Sequence, residues 1–257
     1  VAKVVAVANQ KGGVAKTTTV QSLSVALAEA GHRVLAVDLD PQACLTYSFG
    51  LDPEHLQGTL HDVLVRRTPL EEVVRPSEET EGLHLAPASI DLAGAEVHLL
   101  SRTGREHVLA RALQPELERF DVVLIDCPPS LGVLTINGLT AAQSVLVPLQ
   151  CEALSHRGVG QLLETIEDVR TFANADLQVL GVVATLYDGR TRLARQVLEE
   201  VHVRYGLSVF EPPVPKSVRF AEAPALGVSI LQHAPTSPGA EAYRQLATRV
   251  SEALAVV

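Results

Sequence analysis

Near the start of this chain two lysines flank a pair of glycines, with threonines behind them: Gln10-Lys11-Gly12-Gly13-Val14-Ala15-Lys16-Thr17-Thr18-Thr19. Unobstructed backbone N–H groups, an ammonium and a hydroxyl in that order are suited to holding a row of phosphates and a divalent cation. Gly12 and Gly13 permit backbone angles and a close anion approach that side chains would block. Lys16 can reach the outer phosphates, and Thr17 can ligate Mg2+. The only other lysines are Lys3 and Lys216, in a chain whose remaining cations are all arginine. A lysine placed in that loop therefore answers a chemical need.

Two acidic segments complete the constellation. Val37-Asp38-Leu39-Asp40-Pro41-Gln42 carries two carboxylates two residues apart. In an extended segment such a pair points the same way, one suited to a metal's shell and one to orienting or deprotonating water. In Phe120-Asp121-Val122-Val123-Leu124-Ile125-Asp126-Cys127-Pro128-Pro129-Ser130, four apolar residues deliver Asp126 to the carboxyl end of a buried strand. A second magnesium carboxylate belongs there in a phosphate-loop NTPase. Cys127 reads as a small buried hydrophobe, since no histidine is near it in sequence.

The elements that must position these groups alternate. Strands are expected at 4–8, 34–37, 83–87, 122–125, 145–149 and 179–185. Helices are expected at 18–30, 91–117, 133–142, 158–173, 191–205 and 239–255. This order predicts an α/β fold, a mostly parallel twisted sheet with helices on both faces, whose ligand lies at the carboxyl ends of the strands. Residues 52–81 read as a polar, helical insertion over one edge of the site. Pro212-Pro213-Val214-Pro215 reads as a stiff loop. A single domain over 1–257 is the economical expectation.

Composition narrows the function further. The 257 residues are 47% hydrophobic but only 4% aromatic, so the core is aliphatic. The net charge of −9 argues against global attraction to nucleic acid but leaves room for a local basic patch. Cys44, Cys127 and Cys151 are far apart and form no C-x-x-C, which argues against a disulfide framework, a zinc knuckle or a cluster carrier and fits a reducing cytoplasm. No run of about 18 apolar residues predicts a membrane span. A strand beginning at once leaves no room for a signal peptide.

Taken together, N-Q-K-G-G-V-A-K-T-T-T at 9–19, V-D-L-D-P-Q at 37–42 and I-D-C-P-P-S-L-G at 125–132 resemble the deviant Walker A ATPases of the ParA/MinD group. The match is closest to the ParA (Soj-type) partition ATPases, with support from V-P-L-Q-C-E at 147–152 and P-K-S-V-R-F-A-E-A-P at 215–224. The resemblance implies a P-loop NTPase that uses ATP/ADP and Mg2+. It implies that Lys11 reaches across an ATP-bound homodimer to the partner's phosphates, that Lys16 is the standard phosphate lysine, and that Thr17 sits on Mg2+. It gives Asp40 the hydrolytic water and a place at the metal, and makes Asp126 a Mg2+ carboxylate, bound directly or through water. Nucleotide contacts fall on Lys11, Gly12, Gly13, Val14, Ala15, Lys16, Thr17 and Thr18, with Pro215 and Ser217 flanking adenine. Gly12 falls at the dimer interface.

Two departures stand out. Ala15 replaces the family's glycine before the lysine, a change the loop tolerates where that residue's φ is negative. Lys216-Ser217 replaces the usual Arg-Asn. The resemblance further implies non-specific DNA binding by the ATP dimer, release by a ParB-like partner that stimulates hydrolysis, and a cytoplasmic, nucleoid-associated protein without membrane attachment. Candidate phosphate contacts are Arg190, Arg192, Arg195, Arg204, Lys216 and Arg219, of which Arg192 and Arg195 are spaced for one helical face. The alternative is a MinD-like membrane-cycling ATPase. It needs a basic amphipathic C-terminal helix, and residues 249–257 are a poor anchor, with one arginine and one glutamate.

Overall fold

The structure, a computed structural model, describes residues 1–152 and 155–256, and for His156 the backbone alone. Eight strands are defined: β1 (Lys3–Val7), β2 (Val34–Asp38), β3 (Arg75–Pro76), β4 (Leu83–Ala86), β5 (Val122–Asp126), β6 (Ser144–Gln150), β7 (Gln178–Thr185) and β8 (Val209–Phe210). They form one sheet in the order β3-β4-β2-β5-β1-β6-β7-β8. Each pairing is parallel except that of β3 with β4. β2 and β5 are buried along their whole length, as valine-rich strands covered on both faces must be. The register sets Val7 and Asp38 each opposite Asp126. The exit of β1 and both acidic strand ends therefore lie on one line at the carboxyl edge.

The helices are α1 (Lys16–Glu29), α2 (Cys44–Ser48), α3 (Leu70–Val73), α4 (Leu92–Leu100), α5 (Val108–Leu113), α6 (Val133–Ala141), α7 (Ser155–Phe172), α8 (Arg192–Tyr205), α9 (Arg219–Glu222), α10 (Ile230–His233) and α11 (Pro238–Leu254). One face of the sheet packs on α1, α10 and α11 around Leu23, Leu27, Tyr243 and Leu246. The other packs on α4 to α8 around Leu99, Leu109, Leu139, Leu162 and Ile166. Each such side chain contributes about 1.5–3 kcal/mol by leaving water. α11 begins on a Ser237 cap that accepts from Ala240 N, with Pro238 in the first turn. Its apolar face is spent on α1 and the sheet. No helix among the described residues is long and apolar enough to cross a membrane.

Two expectations need correction. The helix expected at 91–117 is broken at Gly104, whose φ of +65° no helix accommodates. Asn137 then takes over the local backbone, accepting from Leu109 N at 3.1 Å and donating to Arg105 O at 2.8 Å. Residues 52–81 are only partly helical. They hold a π-turn at 62–66, α3 and the antiparallel edge strand β3, and they bury Leu60, Leu64 and Leu70 in the core. Sequence periodicity missed β3 because two paired residues leave no alternation to read.

Candidate phosphate-binding site

The loop after β1 is held from both sides. Asn9, buried, donates to Pro148 O at 2.7 Å and accepts from Lys11 N at 3.0 Å. Thr185, at the end of β7, donates to Val14 O at 2.9 Å. Lys16 Nζ donates to Lys11 O at 3.2 Å, so the loop closes over its own ammonium. The N–H groups of Gly12 and Gly13 have no acceptor among the described residues. With the N-terminus of α1 they offer an anion a set of fixed donors. Thr17 and Thr18 lie half-buried on the first turn, and Val14 is buried behind it.

Ala15 corrects an expectation. Its φ is +61° and its ψ 37°, left-handed rather than negative. An alanine there costs about 1–2 kcal/mol relative to a right-handed residue. The loop keeps the shape a glycine would take, and the flanking Thr185 and Thr19 contacts to Val14 O and Ala15 O hold it.

Facing the loop, the two β2 acids do not act as a parallel pair. Asp38 is buried and accepts from Thr46 N at 2.8 Å, Thr46 Oγ1 at 2.7 Å and Asp40 N at 3.2 Å. It anchors α2. Burial pushes its carboxyl up to about 6, the Thr46 bonds opposing. β2 ends at Asp38, so Asp40 leaves the sheet, half-buried, and accepts from Gln42 N at 2.9 Å.

Asp126 is a different case. Both its oxygens are buried without a well-formed hydrogen bond among the described residues, while the Thr17 hydroxyl faces them. Burial, and then the neighbouring Asp38, push its carboxyl well above the ordinary range. Lys16, only 7 % exposed, is lowered by burial, with Asp126 the largest opposing influence. A buried, unpartnered carboxylate beside a threonine hydroxyl is the hard oxygen donor set that suits Mg2+. Cys127 is buried against Gly138, with burial raising its thiol far from thiolate.

Lys11 points elsewhere. Its Nζ meets Glu152 Oε2 of the same chain at 2.7 Å, with the two side chains 39% and 53% exposed. Gln150 Nε2 donates to the other Glu152 oxygen at 2.6 Å. At the end of β7, Tyr187 N donates to Val214 O at 2.9 Å and Tyr187 bridges Pro215, which fixes the Pro215–Ser217 loop there. Ser217 Oγ accepts from Arg219 N at 3.3 Å.

The proposed DNA contacts divide. Arg190 is engaged by Asp188 through two hydrogen bonds of 2.9 and 2.8 Å. Arg192, Arg195, Lys216 and Arg219 are exposed and make no ion pair among the described residues. Arg204 lies over the Tyr205 ring at 5.6 Å. Between the segment after Asp40 and the segment after Arg219, Gly50 and Gly227 meet so closely that a Cβ on Gly227 would lie 2.7 Å from Gly50 Cα.

Asn9, Thr46, Glu152 and Thr185 escaped the sequence reading. Asn9 and Glu152 stood inside quoted motifs, so only their partners were hidden. Thr185 bonds across 171 residues and Asp38 reaches eight residues on to Thr46, and spacing signals neither.

A sheet of this order, its first loop folded round a lysine at the carboxyl edge, is the architecture of the P-loop NTPases. Residues 2–179 match the family model described as AAA domain. The chain is 49% identical to the chromosome-partitioning ATPase Soj of Thermus thermophilus, covering 96% of this chain and 94% of that protein. It is 43% identical to the sporulation initiation inhibitor protein Soj of Bacillus subtilis, covering 97% and 98%. A Mycobacterium smegmatis structure named cobyrinic acid a,c-diamide synthase, with a bound ATP analogue and magnesium, superposes with a TM-score of 0.85. That pair is 54% identical over 96% of this chain and 93% of the other. The chain belongs to the Soj/ParA family of chromosome-partitioning ATPases.

Proposed function

We propose that this protein is a DNA-segregation switch driven by ATP. ATP with Mg2+ occupies the loop between Lys11 and Thr18, and two copies close face to face over the pair of nucleotides. The dimer binds DNA without sequence preference, and a ParB-like partner stimulates hydrolysis and release at the nucleoid. The observation that carries this reading is the pairing of an enclosed Lys16, facing the orphaned Asp126, with a second lysine at the open rim of the same loop.

Each residue then has a task. Gly12, Gly13 and the first turn of α1 donate N–H groups to phosphate oxygens, and Lys16 holds the outer phosphates. Thr17 and Asp126 hold Mg2+, which neutralises phosphate charge, with Asp40 close by. Asp40 orients the attacking water as its hydrogen-bond acceptor. Pro215 and Ser217 flank the base. Lys11 leaves Glu152 to reach the partner's phosphates, where a cation stabilises charge on the transferred group. Arg192, Arg195, Lys216 and Arg219 contact DNA phosphates, and two copies add avidity.

The test is DNA binding at low salt with ADP, ATP and a non-cleavable analogue, alongside mass in solution. Expected is an analogue-dependent dimer whose DNA affinity falls steeply with salt. Lys11→Ala should lose hydrolysis. A protein that stays monomeric and ignores DNA under all three nucleotides would refute the reading. The chemistry in the name of the M. smegmatis relative is amide formation, which needs an ammonia source; release from glutamine calls for an activated thiol. All three thiols here are shifted upward, Cys151 to about 11, chiefly by burial.

A further inference from the structure

Away from the phosphate loop, a cleft of about 570 Å³ opens between residues 63–71 and residues 102–116. That volume is in the range of small-molecule sites. Val63, Leu70 and Val108 give it apolar surface, and Arg67, Arg102 and Arg111 are among the residues that line it. Two acids also border it. Glu116 is buried and engaged by Arg119, which stands outside the cleft. Glu71 is exposed and makes no ion pair among the described residues. Three cations thus face one unengaged carboxylate, in a chain whose net charge is −9.

The backbone around this cleft is unusual in two respects. Residues 62–66 form a π-turn, a rare geometry found often at functional sites. The residue that ends it, Arg67, has φ +63°, where glycine would be at ease and arginine costs about 1–2 kcal/mol. Its guanidinium has no acceptor among the described residues, so the fold itself gives no reason for an arginine at that point. Arg102 Nη1 donates to Leu64 O at 2.5 Å, which ties the second cation to the π-turn. The third, Arg111, lies over Gly104, where a Cβ would come within 3.2 Å of its Nη2. A costly backbone that delivers an unpaired cation to an apolar hollow is what a binding site leaves behind when its ligand is absent from the fold's own accounting.

We propose that this cleft binds a small organic anion, its apolar body against Val63, Leu70 and Val108 and its phosphate, sulfonate or carboxylate group held by Arg67 and Arg111. No lining residue belongs to the phosphate loop or to the acids facing it, so binding is separate from nucleotide binding.

The probe is 8-anilinonaphthalene-1-sulfonate, titrated into the full chain saturated with ADP and Mg2+. A saturable, single-site fluorescence rise is expected, displaced by inorganic pyrophosphate and weakened by salt. The double variant Arg67→Gly, Arg111→Ala should lose about tenfold or more in affinity, the scale of lost charge-assisted hydrogen bonds. Glycine at 67 keeps the left-handed backbone, so this variant should match the wild type in circular dichroism and in ATPase rate. Glu71→Gln should tighten binding. The pair Arg244→Ala, Arg249→Ala removes the same charge on α11, across the sheet, and should leave the affinity unchanged. Equal affinity in the Arg67/Arg111 variant, equal loss in the control pair, or no saturable signal would each overturn the proposal.

Discussion

The phosphate loop and the arginines of 190–219 are both cationic, but the fold treats them in opposite ways. Lys16 is enclosed, its ammonium bonded to Lys11 O and facing Asp126, on a loop clamped by Asn9 and Thr185. Arg192, Arg195 and Arg219 stand in solvent without ion-pair partners among the described residues. A rigid, desolvated cation discriminates among ligands by position. A mobile surface cation attracts any polyanion and yields to salt. The contrast fits a chemistry that needs one geometry at one end and tolerance of any sequence at the other.

The largest break in that contrast is Lys16→Ala. Turnover should fall about 100-fold or more, as when one charge-stabilising donor is lost, with nucleotide affinity by calorimetry falling alongside. Arg195→Ala, by comparison, should leave basal turnover intact and weaken DNA binding several-fold, lowering the salt slope by about one contact. Wild-type turnover in Lys16→Ala would erase the distinction.

A pH series probes the acids of the enclosed end. Asp38 is raised from 3.8 to about 6, so between those values the folded chain holds a proton that the unfolded chain releases. Stability from this group is therefore present at low pH and lost as pH rises through about 6. Asp126 is shifted in the same direction and adds with the same sign. The nucleotide-free melting temperature should climb on acidification from pH 7 to 5, and Asp38→Asn should flatten that climb. Magnesium–nucleotide affinity should run the opposite way, weakening as Asp126 gains its proton.

Smaller effects sharpen the comparison. Ala15→Gly should raise stability by about 1 kcal/mol, seen as a melting shift of about 2–4 °C. Arg190→Ala should change DNA affinity least among the arginines, because Asp188 already neutralises it. A loss equal to that of Arg195→Ala would show that the Asp188 pair opens on DNA.

Much of the enclosed end was legible because local order encodes it. A strand, two glycines, a lysine and a threonine form the loop from contiguous residues, and the apolar run of 122–125 brings Asp126 to the sheet's edge. What spacing could not convey was orientation. Asp38 and Asp40 alternate correctly for a strand, yet the strand stops between them and Thr46 captures the first. Ala15 carries no sign in its side chain that φ is positive. The cleft of Arg67, Arg102 and Arg111 was invisible because two separate turns and helix α5 assemble it. Helix breaks such as that at Gly104 depend on Asn137, a residue more than thirty positions away.

The Gly50–Gly227 contact has a mechanical consequence. Two chain segments touch there backbone to backbone, with no side chain between them to act as a cushion. One runs on from the residue assigned to water, the other from the residue assigned to DNA. Neither segment can move toward the other at this point without a backbone clash. A single methyl at 227 would lie 2.7 Å from Gly50 Cα and wedge the pair apart, so this seam admits no side chain on that side.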